Sequence, residues 1–202
     1  MMKKIAMMGG SFDPVHEGHI SYARDVLKKT PVDEVVFMPA KLQPFKLDLE
    51  LSSFEDRIEM IRLAIRKEAF MFTSELENEL EGISYTYRTL EEFKKKSKEE
   101  IKVYFMVGTD AFIQMDTWMK ADQLLSDNAI IVAHRPGYNE EKLYQKKTEY
   151  EKIFNAEIIT VENVKVDVSS TEIREKIQRG TSLGGIIPEE VEAYIRKKGL
   201  YK

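Results

Sequence analysis

His16 and His19 stand three positions apart in Gly9-Gly10-Ser11-Phe12-Asp13-Pro14-Val15-His16-Glu17-Gly18-His19, a segment holding two of the chain's three histidines. Residues three apart on a helix share one face, so both imidazoles can turn toward a single anion. Gly18 removes a side chain from the surface between them, and Gly10 lets backbone approach a ligand closely. Asp13-Pro14 reads as the start of the helix: Asp caps, and Pro is tolerated in a first turn where its missing N–H costs nothing. Both rings would then lie at the positive end of a helix dipole, beside unpaired N–H groups that favour phosphate. The chemistry this suits is the holding of a nucleotide phosphate.

A second anion-binding pattern lies near the C-terminus, in Val168-Ser169-Ser170-Thr171-Glu172-Ile173-Arg174. Ser169 and Glu172 have the spacing of a capping box, which opens a helix. Ser170, Thr171 and Arg174 would add two hydroxyls and a guanidinium one turn in. Alone, this is an ordinary helix start; beside the histidine motif it becomes a second half of a phosphate site. Other chemistries fit less well. A zincin helix needs H-E-x-x-H, whereas the chain has H-E-G-H and no cysteine, so no protein-held metal is expected. Neither G-x-G-x-x-G nor G-x-x-x-x-G-K-[ST] occurs at these glycines.

The elements that must position these groups alternate. Ile5-Ala6-Met7-Met8 reads as a buried strand, followed by an amphipathic helix that stops near Thr30-Pro31. Strands are expected at 34–38, 70–73, 101–107, 129–133 and 158–161. Helices are expected from Ser52-Ser53 to about Lys67, from Thr86 to Lys96, and twice at the C-terminus. Strands separated by helices imply parallel pairing through right-handed crossovers, hence an α/β, doubly wound, Rossmann-like parallel sheet with helices on both faces. Ligands collect at the carboxyl ends of such strands, and each suspicious motif follows a strand.

With 202 residues, one domain over 1–202 is the expectation. A content of 43% hydrophobic and 33% charged residues is an ordinary soluble balance. No run approaches the ~18 apolar residues of a membrane span, no signal-peptide pattern is seen, and a cytoplasmic location is expected. Absence of cysteine agrees with that compartment and rules out thiol chemistry. A net charge of −4 gives no global attraction to nucleic acid. The run Lys94-Lys95-Lys96-Ser97-Lys98 reads as a solvated helix end. Self-association is left open.

The segment from Gly10 to His19 resembles the signature of the H-x-G-H nucleotidyltransferases. Nearly end to end, the chain resembles the bacterial nicotinate-nucleotide adenylyltransferases, whose I-S-S-T-x-I-R motif is matched with Val168 in place of Ile. The resemblance implies attack by a mononucleotide 5′-phosphate on the α-phosphorus of ATP. It gives His16, His19 and Arg174 the catalytic roles, with Gly10, Ser11, Phe12, Gly18, Ser170 and Thr171 as further ATP contacts. The C-terminal helices complete the phosphate site. Mg²⁺ is expected to ride chiefly on the phosphates of ATP. Nearby phosphates would favour protonated histidines.

Substrate residues are implied by the same resemblance. Lys46 corresponds to a phosphate contact, with Phe45 where the family has histidine. Ser84-Tyr85-Thr86 matches the family's S-Y-T, with Leu80 in the place of an arginine. Gly108 and Asp110 fall near the ribose, Trp118 under the pyridine ring, and Arg135 in an R-P-G segment beside adenine. For Asp110 a helix cap, and for Trp118 a half-buried core position, are the competing readings. Phosphopantetheine and nicotinamide-mononucleotide adenylyltransferases are the rivals within the class, and a silent nucleotide sensor is the rival outside it. The partners expected are ATP and nicotinate mononucleotide.

Overall fold

A computed structural model describes residues 2–42, 51–134, 139–162 and 168–202. The strands are β1 (Lys3–Gly10), β2 (Glu34–Pro39), β3 (Met71–Thr73), β4 (Ile101–Gly108), β5 (Ala129–His134) and β6 (Ile158–Glu162). Each is a short apolar run, and they pair in parallel in the order β3-β2-β1-β4-β5-β6. Chain direction across the sheet reverses between β1 and β4, which makes their carboxyl ends the switch point where a ligand is expected.

Side chains on a strand alternate between faces, and here both faces are buried. Ala6 and Met8 of β1, Tyr104 and Met106 of β4, and Ile131 of β5 pack on one side. That side carries α1 (Glu17–Lys29), α2 (Phe54–Ile65), α8 (Ser170–Gln178) and α9 (Glu189–Lys198). Met7, Phe105, Ile130 and Val132 face the other way. They meet α4 (Thr86–Lys96), α5 (Thr109–Ile113), α6 (Ala121–Asp127) and α7 (Glu140–Phe154), while the short α3 (Leu76–Glu79) lies between β3 and α4. The doubly wound expectation therefore holds, with helices on both faces. Among the described residues no helix is long and apolar enough to cross a membrane.

Three local expectations change. The first helix does not begin at Asp13-Pro14: α1 starts at Glu17, and extended His16 is its N-cap. Asp13 is only 1% exposed, because its carboxylate turns inward instead of capping. Helix α7 is not foreseen by the sequence reading, since only Leu143 and Tyr150 along it are buried and its remaining face is charged. The edge strand β3 is trimmed to three residues, leaving Phe70 outside and 60% exposed. By contrast the Ser53 cap forms, its side chain accepting from Asp56 N at 3.0 Å.

Candidate active site

The carboxyl ends of β1 and β4 open into a cavity of about 680 Å³. Gly10, Ser11, Phe12, His16, Gly18 and His19 form one wall, and Ser170, Thr171 and Arg174 from the far end of the chain form the adjoining one. Ser84, Tyr85, Thr86, Gly108 and Trp118 line the remainder. Lys46, Phe45 and Arg135 lie outside the described residues.

The histidine wall is shaped by Phe12, which sits at φ +51° with its ring buried against Phe37 and edge-on to His19, centroids 5.6 and 5.0 Å away. A non-glycine residue in this left-handed region is uncommon and held there by its surroundings. Gly10 is the complement: a Cβ at this position would meet the Phe12 ring at 3.2 Å. Buried Arg57 ties the loop to the neighbouring strand exit, donating to Ser11 O at 2.9 Å and to Ala40 O at 2.8 Å.

His16 and His19 lie ring on ring, 3.7 Å between centroids and 35° from parallel. The His16 amide donates to His19 Nδ1 at 3.3 Å. In the neutral ring this leaves the proton on Nε2, an assignment made from the network. His16 is 6% exposed, and its Nδ1 is buried without a hydrogen-bond partner. Burial pushes its pKa down to about 4, with Glu172 opposing more weakly. Without a phosphate nearby, desolvation outweighs the nearby acid and favours neutral His16.

The two motifs are bonded to each other. Arg174 Nη1 donates to Asp13 O at 2.7 Å, and Ser170 Oγ donates to Pro14 O at 2.9 Å. A second Arg174 nitrogen reaches Thr171 Oγ1 at 3.2 Å. The capping box forms, with Glu172 N on Ser169 Oγ at 3.2 Å and Ser169 N on Glu172 Oε2 at 2.8 Å. The box satisfies the amides of Ser169 and Glu172, so the first helical amides, those of Ser170 and Thr171, remain for an anion. Arg174 is the one Lys or Arg among the described residues of the cavity wall. No group of three metal-ligating side chains occurs among the described residues. A guanidinium beside unpaired helix amides suits a polyphosphate.

The opposite wall is less charged. Glu77, 3% exposed, accepts hydrogen bonds from Ser84 Oγ and Thr89 Oγ1. Ser84 Oγ in turn accepts from the amides of Lys41 and Leu42, each at 3.1 Å. Its hydroxyl therefore helps to hold the loop after β2, while the residue itself stays on the cavity wall. Thr86 opens α4, and the N-cap Tyr85 makes no side-chain cap. Leu80 packs on the apolar cluster of this face. Trp118 lies at the cavity wall, edge-on to Phe105 at 6.2 Å. Asp110 is not on the wall: its Oδ1 accepts from Asn139 Nδ2 at 3.0 Å, since the first turn of α5 points it toward the start of α7. Gly108, not Asp110, is the N-cap of α5.

Sequence reasoning missed Glu77, Thr89 and Tyr22 as wall residues. Glu77 carried a faint signal, an acid directly after buried Leu76. Tyr22 carried none, because its hydroxyl finds Ile131 O at 2.8 Å across 109 residues.

Residues 7–176 match the Cytidylyltransferase-like family. The probable nicotinate-nucleotide adenylyltransferases of Clostridium novyi and Clostridium tetani are each 35% identical to this chain over 201 residues, covering 100% of both partners. Among solved structures, Plasmodium falciparum nicotinic acid mononucleotide adenylyltransferase complexed with NaAD superposes with a TM-score of 0.80 at 23% identity, over 98% of this chain and 97% of that one. That superposition speaks for the fold, and the full-length identity to the bacterial relatives carries the assignment further. The chain belongs to the cytidylyltransferase-like family and, within it, to the nicotinate-nucleotide adenylyltransferases.

Proposed function

We propose that residues 1–202 act as one catalytic unit that transfers the adenylyl group of ATP to nicotinate mononucleotide, yielding deamido-NAD and pyrophosphate. The observation that carries this reading is the bonding of Arg174 and Ser170 to the main chain of the histidine loop, which puts two anion-binding motifs on one cavity.

An oxygen of the mononucleotide 5′-phosphate forms a bond to the α-phosphorus of ATP. The bond from that phosphorus to the α,β-bridging oxygen breaks, and its electron pair leaves with pyrophosphate. A phosphate monoester has a second pKa of about 6, so the nucleophile is anionic at neutral pH and needs no general base. The protein must align two mutually repelling anions and stabilise charge growing on the bridging oxygen. Arg174 brings a permanent charge, and His19 presents its Nε2–H. Buried His16, neutral beforehand, takes up a proton as the triphosphate supplies compensating charge. The amides of Ser170, Thr171 and Gly18 receive phosphate oxygens, with Ser11 and Phe12 lending main-chain contacts. Mg²⁺, when bound, would be held chiefly by the ATP phosphates rather than by side chains of this chain, and would supply shielding of their charge.

The mononucleotide occupies the wall of Tyr85, Thr86, Gly108 and Trp118. A carboxylate suits the amide donors at the start of α4, whereas a carboxamide would present its NH₂ to them. The ring stacks on Trp118. Lys46, Asp110 and Arg135 keep the roles the resemblance gives them only as proposals, and Asp110 would have to exchange Asn139 for a ribose hydroxyl.

The test is pyrophosphate release with ATP and Mg²⁺, comparing nicotinate mononucleotide, nicotinamide mononucleotide and phosphopantetheine at equal concentration. Preference for the first is expected. Preference for either other compound overturns the substrate, and no release from any of them favours a silent nucleotide sensor.

A further inference from the structure

The last residues of the chain reach the histidine loop. Gly199, at φ +66°, ends α9 in the left-handed conformation, and Tyr201 follows at φ +64°. The turn folds the Tyr201 ring back against the main core cluster, its hydroxyl 3.9 Å from Met60 Sδ. That hydroxyl donates to Asp13 Oδ1. The other carboxylate oxygen accepts a long bond from Ser52 N at 3.3 Å.

Asp13 is an odd residue to bury beside a site for anions. Its negative charge opposes polyphosphate binding unless donors hold it, and an unsatisfied buried carboxylate is costly. The neighbouring main chain explains its presence. Asp13 O holds Arg174 Nη1, Pro14 O holds Ser170 Oγ, and Glu17 N donates to Ile186 O at 2.9 Å. The side chain of Asp13 fixes a segment whose backbone carries the guanidinium on one side and leads into His16 on the other.

Resting on the adenylyl-transfer reading above, we infer that Tyr201 is a positioning residue: through its hydroxyl and the Asp13 carboxylate it sets the placement of Arg174 and of the two histidines. Tyr201 touches no reacting atom and is absent from the cavity wall. Burial and the facing Asp13 charge both raise its pKa, so the phenol keeps its proton and remains the donor. Displacing a catalytic group by a fraction of an ångström lowers turnover more than affinity, because alignment is completed only in the transition state.

The test is Tyr201→Phe in the full chain, which keeps the ring and removes the one donor. We expect a folded protein, kcat lowered about tenfold, and KM for ATP and nicotinate mononucleotide within about twofold of wild type. The chain has three histidines, which gives an activity-independent readout. Ring resonances of His16 and His19 should shift in the variant while those of His134, at the end of β5, stay put. A kcat within twofold of wild type overturns the inference, as does an equal shift of all three histidines. Should Tyr201→Phe fold poorly, Asp13→Asn removes the charge that requires the phenol. In the Asp13→Asn background Tyr201→Phe should then fold and cost little further kcat, whereas a full additional tenfold loss refutes the coupling. Wild-type protein inert toward nicotinate mononucleotide would sink the substrate reading, and the histidine spectra would still decide the role of Tyr201.

Discussion

The two walls of the cavity are held in different ways. The phosphate wall joins residues about as far apart as the chain permits: Ser170 bonds to Pro14 and Arg174 to Asp13 across separations of 156 and 161 residues. The mononucleotide wall is secured by shorter spans, Glu77 with Ser84 and Thr89, and Ser84 with Lys41 and Leu42. The polar groups differ too, since the phosphate wall carries a guanidinium and two imidazoles while the other holds buried Glu77, an aromatic face and amide dipoles. Groups that stabilise developing charge must be fixed by the whole fold, and groups that recognise a ring can be fixed locally. Chemistry and selectivity are therefore separable, and substitutions on the two walls should separate them.

The largest effect is expected at His19. His19→Ala should lower kcat by ~10²- to 10³-fold, because one donor to the transition state is lost, and should lower the melting temperature by a few degrees, because the ring packs on His16 and Phe12 and accepts the His16 amide. Retention of more than about a tenth of the wild-type rate would break the division between the walls.

His16 gives the next effect, on stability. Its folded pKa of about 4 lies below the ordinary 6.5, so the unfolded chain binds more protons between those values. Stability is full above about pH 6.5, falls as pH drops toward 4, and loses nothing further from this group below that. The loss is on the order of 3 kcal/mol. His16→Gln should flatten this stretch of the denaturation-against-pH curve, and an unchanged slope would show that another group titrates there.

The smallest effect belongs to the other wall. Trp118→Ala should raise KM for the mononucleotide about fivefold through lost stacking, while KM for ATP and kcat move less. A fall in kcat as large as that of His19→Ala would mean the walls are not separable.

Much of this arrangement was legible before any coordinates. The apolar runs of β1, β2, β4 and β5 are buried on both faces, so each is continuous in sequence and easily found. The capping boxes and histidine spacing are local, and local signals survive. What failed was decided at long range. Asp13 looked like a cap because Asp-Pro precedes a helix, but a phenol 188 residues away draws it inward. The motif of Ser84 does not show that its hydroxyl also answers a buried acid and a neighbouring loop. Nor does the position of Asp110 after β4 show its bond to Asn139. Helix α7 escaped because its apolar stripe is too thin to show a period. The parallel, doubly wound character of the sheet, by contrast, follows from alternation alone, although the strand order does not.

Arg57 carries one more consequence. Its guanidinium lies 2% exposed and binds the carbonyls of both Ser11 and Ala40, at the exits of β1 and β2. Parting those exits would strand a cation in hydrocarbon, so that side of the mouth behaves as a fixed jaw.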